Sequence, residues 1–453
     1  MITEIEIQAA RHCISYALDH GASAVRAALN KSSIDSCNLL NGELDKVTHS
    51  TDRSIYLYLY VDGRYGTFST NRFETEELEG FIRNAISMVR MLGEDACRQL
   101  PEPSREAKDA LTGRELGLYD ESLESGSSGS RLEKASSMSI FGKVTREGCE
   151  MISEECEYSE SYDDSFLIDS QGFEGRHTES SFNCFTEITV QDTGSNKFSG
   201  YWWDASVKDG QMDLQGCSLK ALERAAAQIG PKPRRSGRYR MVVDTSAATR
   251  LISPVINALN ASALQQKMSF LEGTCGKRVF PEDLTIMDLP REYGRNGARL
   301  YDSEGVATVN APVIENGIVR QYFINTYNAA KMGIEPTVED ISRPHLQPFI
   351  KGKALQDTEK EVSLKDILQL CGNGILVTGF NGGNSNPVTG DFSFGIEGFA
   401  FSKGKITHPV REMLITGNLM ELWNSIIAAG SDMRPGVRWQ VGSLAFENVS
   451  FSA

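Results

Sequence analysis

Hydrophobic residues recur with two different periods in the first part of the chain. A helical spacing runs over residues 3–19, with Thr3 in position to cap it, and a second helical pattern follows Thr75, which is its predicted cap. Between them, residues 54–61 are β-branched and aromatic, and the Asp62-Gly63 pair that follows is a hairpin signal. The pattern therefore predicts a helix, several strands and a second helix.

A similar order of elements follows a polar stretch. Residues 96–130 contain two prolines and a serine- and glycine-rich tract, which predicts an exposed linker. A helical pattern over 131–147 then leads into strand patterns over 154–161, 165–169, 172–191 and 196–206, and a helix over 212–229 closes the segment. We interpret 1–95 and 131–228 as a weak duplication within one N-terminal domain, 1–228. Chance similarity is the alternative.

The second half, residues 231–453, consists mostly of short strand patterns and turns. One long helix is predicted over 247–264, with Ser246 as its cap. Minor helices are expected at 326–332, 363–371 and 419–429. The predicted fold class is α+β, with an N-terminal α/β-layered domain and a β-rich C-terminal domain around a central helix.

Residues 379–401 form the most distinctive stretch. A glycine- and asparagine-rich segment, which predicts a loop, comes first. Phe392, Phe394 and Ile396 then alternate with smaller or polar residues, which predicts a half-buried strand. A turn at 403–405 leads into a returning strand. The stretch lacks the glycine patterns of phosphate-binding loops, so phosphate binding is not favoured.

Composition narrows the class of protein. The net charge of -15 argues against direct nucleic-acid binding, because an acidic chain repels phosphate. Nine scattered cysteines without a CxxC pair fit reduced thiols. The N-terminus has no leader-like pattern and no apolar run of membrane-spanning length occurs. A cytoplasmic protein without a membrane span is expected.

Residues 386–418, NPVTGDFSFGIEGFAFSKGKITHPVREMLITGN, resemble the C-terminal signature of the TldD/PmbA family, and of its PmbA (TldE) branch in particular. Four further segments carry the resemblance: 269–281, 302–308, 325–331 and 442–443. It covers nearly the whole chain, most clearly from residue 230. TldD-type members of the family are metallopeptidases that cut unfolded or extended peptides, and PmbA/TldE members are their partner subunits. The family also carries the label "modulator of DNA gyrase".

The resemblance places the metal-binding HExxxH of the TldD branch on the predicted long helix. In this chain the two histidine positions fall near Ser253 and Ala258, and the glutamate position falls near Pro254. The third ligand, a cysteine, would fall near 433–437, where this chain has none. A catalytic zinc site needs about three protein ligands. We therefore expect no metal or cofactor in this chain and a zinc ion in a TldD-like partner.

Other catalytic arrangements have little support in the sequence. The six histidines form no HExxH or HxH pair, although a metal site built from distant residues stays open. Asp391 and Glu397 could form an acid–base pair, and the alternative is a turn-capping aspartate and an exposed strand glutamate. Whether the chain is itself an enzyme is left open.

The distinctive stretch supplies the candidate substrate-binding residues. Glycines allow close approach of another backbone, and asparagine amides can bond peptide groups. The candidates are Gly382, Gly383, Asn384, Asn386, Thr389 and Asp391. A purely structural loop is the alternative interpretation.

The predicted function is that of a non-catalytic subunit of a cytoplasmic TldD-type metallopeptidase system, which helps to bind extended or unfolded peptide for proteolysis. The expected partners are a TldD-like subunit and an extended peptide, and a homodimer is plausible in isolation. One alternative is a silent peptide- or protein-binding partner, for example of gyrase, that acts without proteolysis. Another is a peptidase with a metal site outside the family pattern.

Overall fold

The computed structural model describes residues 1–353 and 361–453. They form two compact units. The first comprises Met1–Arg224, Pro290–Val309 and Asn325–Glu339, and the second comprises Ala225–Leu289, Asn310–Ile324 and Asp340–Ala453. The predicted α+β class is confirmed, with a β-rich C-terminal portion. The domain division at residues 228–231 and the duplication stay predictions.

The elements of the first part of the chain, in order, are α1 (Glu4–Asp19), β1 (Ala24–Leu40), β2 (Glu43–Val61), β3 (Arg64–Thr70), α2 (Thr75–Val89), α3 (Ser128–Met138), β4 (Cys149–Asp169), β5 (Glu174–Asp192), β6 (Lys197–Ser206) and α4 (Leu214–Ala227). Those that follow are β7 (Gly237–Val243), α5 (Thr245–Asn257), α6 (Ala261–Gln265), β8 (Ile286–Asp288), β9 (Ala311–Glu315), β10 (Ile318–Val319), α7 (Thr326–Met332), β11 (Pro344–Leu346), β12 (Phe349–Ile350), α8 (Leu364–Cys371), β13 (Gly374–Ser385), β14 (Asp391–Ser402), β15 (Lys405–Asn418), α9 (Leu419–Asn424), β16 (Ile426–Ala429) and β17 (Leu444–Ser452).

The first unit is built on a six-stranded antiparallel sheet in the order β3-β2-β1-β4-β5-β6. Helices α1 and α2 cover one end of it, and a core of buried aliphatic side chains such as Ile14, Leu57 and Ile82 lies between them. Helix α1 begins with the predicted cap, because Thr3 and Glu6 form a reciprocal capping box. The predicted cap of α2 is wrong, since Glu74 occupies that position and makes no side-chain cap bond.

The strands of the first unit are longer than predicted. The separate strands expected within 154–169 are one strand, β4, because β1 and β5 both pair with it continuously. Asp62 and Gly63 both have positive φ, as a tight hairpin turn requires. Strand β1 pairs with β2 from Glu43 to Tyr60, with a bulge at Asp45, whereas β3 reaches only from Ile55 to Val61 of that strand.

The expected exposure of residues 96–130 is wrong for part of that segment. Four of its apolar side chains are buried in a core cluster together with Phe173 and Tyr301: Ala107, Ala110, Leu116 and Leu118. Backbone hydrogen bonds also join the segment to strand β5, for example from the Arg176 amide to the Ala110 carbonyl. Small apolar residues inside a polar stretch can thus pack where composition alone predicts a linker.

The second unit contains a seven-stranded sheet in the order β12-β16-β17-β15-β14-β13-β7 and a four-stranded sheet in the order β10-β9-β8-β11. Strand β7 pairs in parallel with β13 and in antiparallel with β17. Five strands, β7, β13, β14, β15 and β17, therefore close into a ring. The alternation predicted for Phe392, Phe394 and Ile396 is confirmed, since all three are buried on β14.

The predicted long helix is shorter and differently capped. Helix α5 ends at Asn257, and a break separates it from α6. The Asp244 carboxylate, rather than Ser246, caps it by accepting the Ser246 amide. Its apolar face is buried, and the Trp423 indole donates to the Leu251 carbonyl at 3.2 Å. The helix predicted over 419–429 is also split, because β16 pairs with β17 instead of continuing α9.

The longest helix among the described residues has 16 residues. Membrane spanning takes about 20 predominantly apolar residues. Within residues 1–353 and 361–453, the structure accordingly contains no helix that is long and apolar enough to cross a membrane.

Candidate functional site

A groove of about 530 Å³ opens in the second unit, beside the C-terminal half of α5. It is lined by α5, by the segment around α6 and by the end of β13 with the turn that follows. The lining residues are Arg250, Ser253, Pro254, Asn257, Ala258, Asn260, Ser262, Ala263, Gln266, Met268, Phe270, Asn384, Ser385 and Pro387. The groove therefore joins the degenerate metal positions and part of the predicted substrate-binding stretch, although more than 120 residues separate them along the chain.

Helical spacing decides which α5 residues reach the groove. Leu251, Ile252, Val255 and Ile256 are buried in the core. Positions 250, 253, 254 and 257 are three or four residues apart, so they lie together on the opposite face. This face is polar except for Pro254, and it points its side chains into the groove.

The three residues at the family's metal positions offer little to a metal ion. The Ser253 hydroxyl donates to the Thr249 carbonyl at 2.8 Å, Pro254 has an aliphatic ring, and Ala258 is a buried methyl at the end of the helix. Zinc in proteins is bound by cysteine, histidine, aspartate or glutamate. Within the part of the chain that the structure describes, no three such residues are grouped as a metal site requires.

The predicted loop at the start of the distinctive stretch is a strand. Gly382, Gly383 and Asn384 lie on the last residues of β13, which pairs with β14 as far as Ser385. Glycine and asparagine disfavour strands, but pairing with β14 overrides that preference. Register shifts at Val377–Gly379 and Asn381–Gly383 accommodate them as bulges.

Gly383 is required by the packing of the sheet itself. Its φ is 82°, and a Cβ added there would lie 2.0 Å from the Ser393 carbonyl oxygen. Gly382 also has a positive φ, of 73°, but its surroundings are open. The sequence predicts that these glycines let another backbone approach closely. At Gly383 the backbone that approaches is that of β14.

Three of the other candidate residues hold the turn between β13 and β14. The Asn386 side chain accepts the Val388 amide at 2.9 Å, and the Thr389 hydroxyl donates to Asp391 at 2.7 Å. The Asn418 amide also donates to Asp391, at 3.0 Å. These bonds, from Asn418 and then Thr389, lower the pKa of Asp391. The arrangement is typical of turn capping.

Asp391 and Glu397 do not lie close enough for acid–base chemistry. They are on the same strand, β14, six residues apart. A strand rises by about 3.3 Å per residue, so roughly 20 Å separates them. Paired catalytic carboxylates lie within about 10 Å of each other.

Asn384 is the predicted residue that reaches the groove with an uncommitted side chain. It is exposed, and its amide makes no hydrogen bond within residues 1–353 and 361–453. Asn257, Asn260 and Gln266 add three further amides, which the sequence interpretation missed. The side-chain carbonyl oxygen of Asn260 is buried without a hydrogen-bond partner among the described residues. The three- and four-residue spacing of polar side chains on α5 was the available signal for Asn257.

Arg250 connects the two walls of the groove. Its guanidinium donates to the Gly383 carbonyl at 2.9 Å and lies 5.0 Å from the centre of the Phe394 ring. Helix α5 is therefore linked directly to the end of β13.

Comparison with known protein families finds three family models that match this chain. They are the PmbA/TldA metallopeptidase domain 1 at residues 25–89, the central domain at 124–229 and the C-terminal domain at 236–453. A solved structure from Bacteroides thetaiotaomicron is 39% identical, covers 100% of both chains and has a TM-score of 0.93.

The chain belongs to the PmbA/TldD metallopeptidase family. The Bacteroides relative is described as a candidate modulator of DNA gyrase. The metalloprotease PmbA of Escherichia coli O157:H7 is 23% identical over 98% of this chain and 96% of its own length. TldE from Thermococcus kodakarensis shares the fold, with a TM-score of 0.81 at 19% identity over 98% of this chain and 100% of its own. The resemblance to the PmbA branch is thereby confirmed.

Proposed function

We propose that this PmbA/TldE-like chain is a non-catalytic subunit that works in the cytoplasm with a TldD-like partner, and that its groove beside α5 holds extended peptide. The partner supplies the zinc ion and the catalytic glutamate, and this chain holds no cofactor. One observation carries the proposal. Ser253, Pro254 and Ala258, which cannot replace HExxxH, line a groove together with the side-chain amides of Asn257, Asn260, Gln266 and Asn384.

The lining of the groove suits a peptide backbone. The Asn257, Asn260, Gln266 and Asn384 side chains each combine a donor and an acceptor, so they can bond peptide groups whatever the sequence. Met268, Phe270 and Pro387 add apolar surface for substrate side chains. The volume of about 530 Å³ lies within the range of ligand sites, roughly 300–1,000 Å³.

An open strand edge borders the groove. Strand β14 pairs with β13 along its length, but β7 pairs only with Ile375–Val377. Beyond Val377, the other edge of β13 has no strand partner among the described residues. An extended peptide can add to such an edge through backbone hydrogen bonds, which gives affinity without strong sequence preference.

The test is reconstitution with the TldD-like chain of the same organism and an unfolded protein as substrate. This chain alone is expected to contain no stoichiometric zinc and to cleave nothing, whereas the pair cleaves. The double variant Asn257→Ala/Asn384→Ala should slow cleavage by the pair. Asn71→Ala removes an exposed asparagine outside the groove and should leave the rate unchanged.

Full activity of the double variant would contradict the proposed role of the groove in peptide binding. Stoichiometric zinc together with cleavage by this chain alone would overturn the non-catalytic role. The family's gyrase label favours one further candidate, a silent binding protein that acts without proteolysis. Cleavage by the TldD-like chain that is independent of this subunit, combined with direct binding of gyrase, would support that candidate.

A further inference from the structure

Strand β2 has a long backbone edge that no strand of the described residues covers. Because β3 stops at Ile55, residues 43–54 direct half of their backbone groups outward. The side chains there are mostly exposed, including Leu44 (50%) and Val47 (55%). Open edges of this length are templates for pairing with another chain, and proteins usually shield them.

A second copy can pair with this edge only in certain registers. In antiparallel pairing, directly opposed residues point to the same face of the sheet. A two-fold axis perpendicular to the sheet also makes the contact identical in both copies. Together these conditions require the register to be centred on one residue, which lies directly opposite the same residue of the second copy. A register displaced by one residue would set side chains of opposite faces against each other.

One of these registers matches the charges. With His49 opposite its own copy, Lys46 stands opposite Asp52 of the other copy. The symmetry repeats this pair, which makes two opposite-charge pairs within the regular part of β2, Lys46–Tyr60. In the same register Val47 faces Thr51, a pair of β-branched side chains that suits a sheet.

The neighbouring registers lose these matches. With Thr48 at the centre, Lys46 faces Ser50 and Asp52 faces Leu44, which lies beyond the bulge at Asp45, so the pair of opposite charges is lost. With Ser50 at the centre, Arg53 faces Val47 and no opposite charges meet within residues 46–54.

The charged side chains on this edge are either available for a contact with a second copy or already held in position. Lys46 and Asp52 form no ion pair within the described part of the chain. Across the strand they face the uncharged residues Asn38 and Ser32 of β1. Arg53 is positioned by Glu6, at 3.2 Å, and by the Phe73 ring, at 4.4 Å. His49 is held by Asp35 at 2.9 Å.

We propose that the chain forms a homodimer in which residues 46–52 of β2 pair in antiparallel with the same residues of a second copy, with His49 on the two-fold axis. The two six-stranded sheets become one continuous sheet. This dimer does not depend on the function proposed for the groove.

The test uses charge exchange at the matched pair, read by sedimentation velocity over a micromolar concentration series. The wild-type chain is expected to dimerise. Lys46→Asp sets Asp against Asp at both copies of the pair, and Asp52→Lys sets Lys against Lys, so each should weaken dimerisation by roughly tenfold or more. Mixing the two single variants restores both matches, and a heterodimer should form with near wild-type affinity.

Lys405→Asp makes the same charge change at an exposed position outside this edge, and it should dimerise like the wild type. The mixing result separates a broken contact from a misfolded variant, because misfolded chains would not recover on mixing. A monomeric wild-type chain, single variants that dimerise normally, or a mixture that stays monomeric would each overturn the proposal.

Discussion

The guanidinium of Arg250 and the carbonyl oxygen of Gly383 are joined by a hydrogen bond of 2.9 Å, which links α5 to the end of β13 across the groove. The bond also occupies a backbone acceptor on the strand edge to which a peptide would add. Arg250 thus both braces the site and limits the backbone groups that a ligand can use there.

Replacing Arg250 tests this brace. Arg250→Ala removes the hydrogen bond and the contact with the Phe394 ring. Since Arg250 is exposed, the expected loss is about 1 kcal/mol of unfolding free energy, measured by urea denaturation. Arg250→Lys keeps the charge and should recover part of the loss. An unchanged midpoint for Arg250→Ala would show that the bond contributes nothing to stability.

The two adjacent glycines of β13 should respond differently to alanine. Gly383→Ala combines a positive φ with a Cβ that would lie 2.0 Å from the Ser393 carbonyl oxygen. We expect it to reduce the unfolding free energy by about 2–4 kcal/mol. Gly382→Ala meets only the positive φ, in open space, and should cost about 1–2 kcal/mol. Equal costs in thermal or urea unfolding would contradict the role of β14 at Gly383.

Asp302 should make stability depend on pH. Burial, with the nearby Glu304 and Glu339 charges, raises its pKa from 3.8 to about 6. Because the folded pKa exceeds the unfolded value, the folded protein binds more protons in between. Stability should therefore fall by about 2–3 kcal/mol as pH rises from about 4 to about 6, and level off above.

The Asp302→Asn variant isolates this contribution. Urea unfolding of both proteins across that pH range should show a difference that shrinks as the wild-type carboxylate becomes ionised in the folded protein. The side chain also accepts backbone amides from Glu304, Val306 and Glu339, so the variant will have a lower overall stability. A pH-independent difference between the two proteins would contradict the raised pKa.

The cysteines should differ in reactivity according to burial. Cys275 is exposed, whereas Cys13 and Cys156 are buried. Burial raises the pKa of Cys13 to about 12 and that of Cys156 to about 11. In the native protein near neutral pH, a maleimide should label Cys275 quickly and the other two only after unfolding. Peptide mass spectrometry gives the sites, and Cys275→Ser should remove the fast reaction.

Elements set by local residues were predictable from the sequence. Helix α1 has its capping box within four residues, and α7 has the predicted bounds, with Asn325 as cap and Gly333 after it. Elements set by distant pairing were not. The end of β13 has the composition of a loop, and residues 426–429 continue a helical pattern, but β14 and β17 draw them into the sheet.

The site was predictable to a similar degree. The family resemblance located Ser253, Pro254 and Ala258, and these residues do line the groove. Asn257, Asn260 and Gln266 were missed, since polar residues on a helix normally face solvent and only the fold turns them toward a concave surface. Asn386, Thr389 and Asp391 have the right chemistry for a ligand but are hydrogen-bonded within their own turn.

The closed ring of strands in the second unit has a consequence for biosynthesis. Strand β7 begins the ring, and β17, more than 200 residues later, completes it by pairing with β7 and β15. The ring cannot close on the ribosome until β17 has emerged from the exit tunnel. Before that point, β7 and β15 each have one edge without a strand partner. Nascent chains that stop before residue 444 keep these edges open, so we expect chaperones to bind such chains and proteases to degrade them.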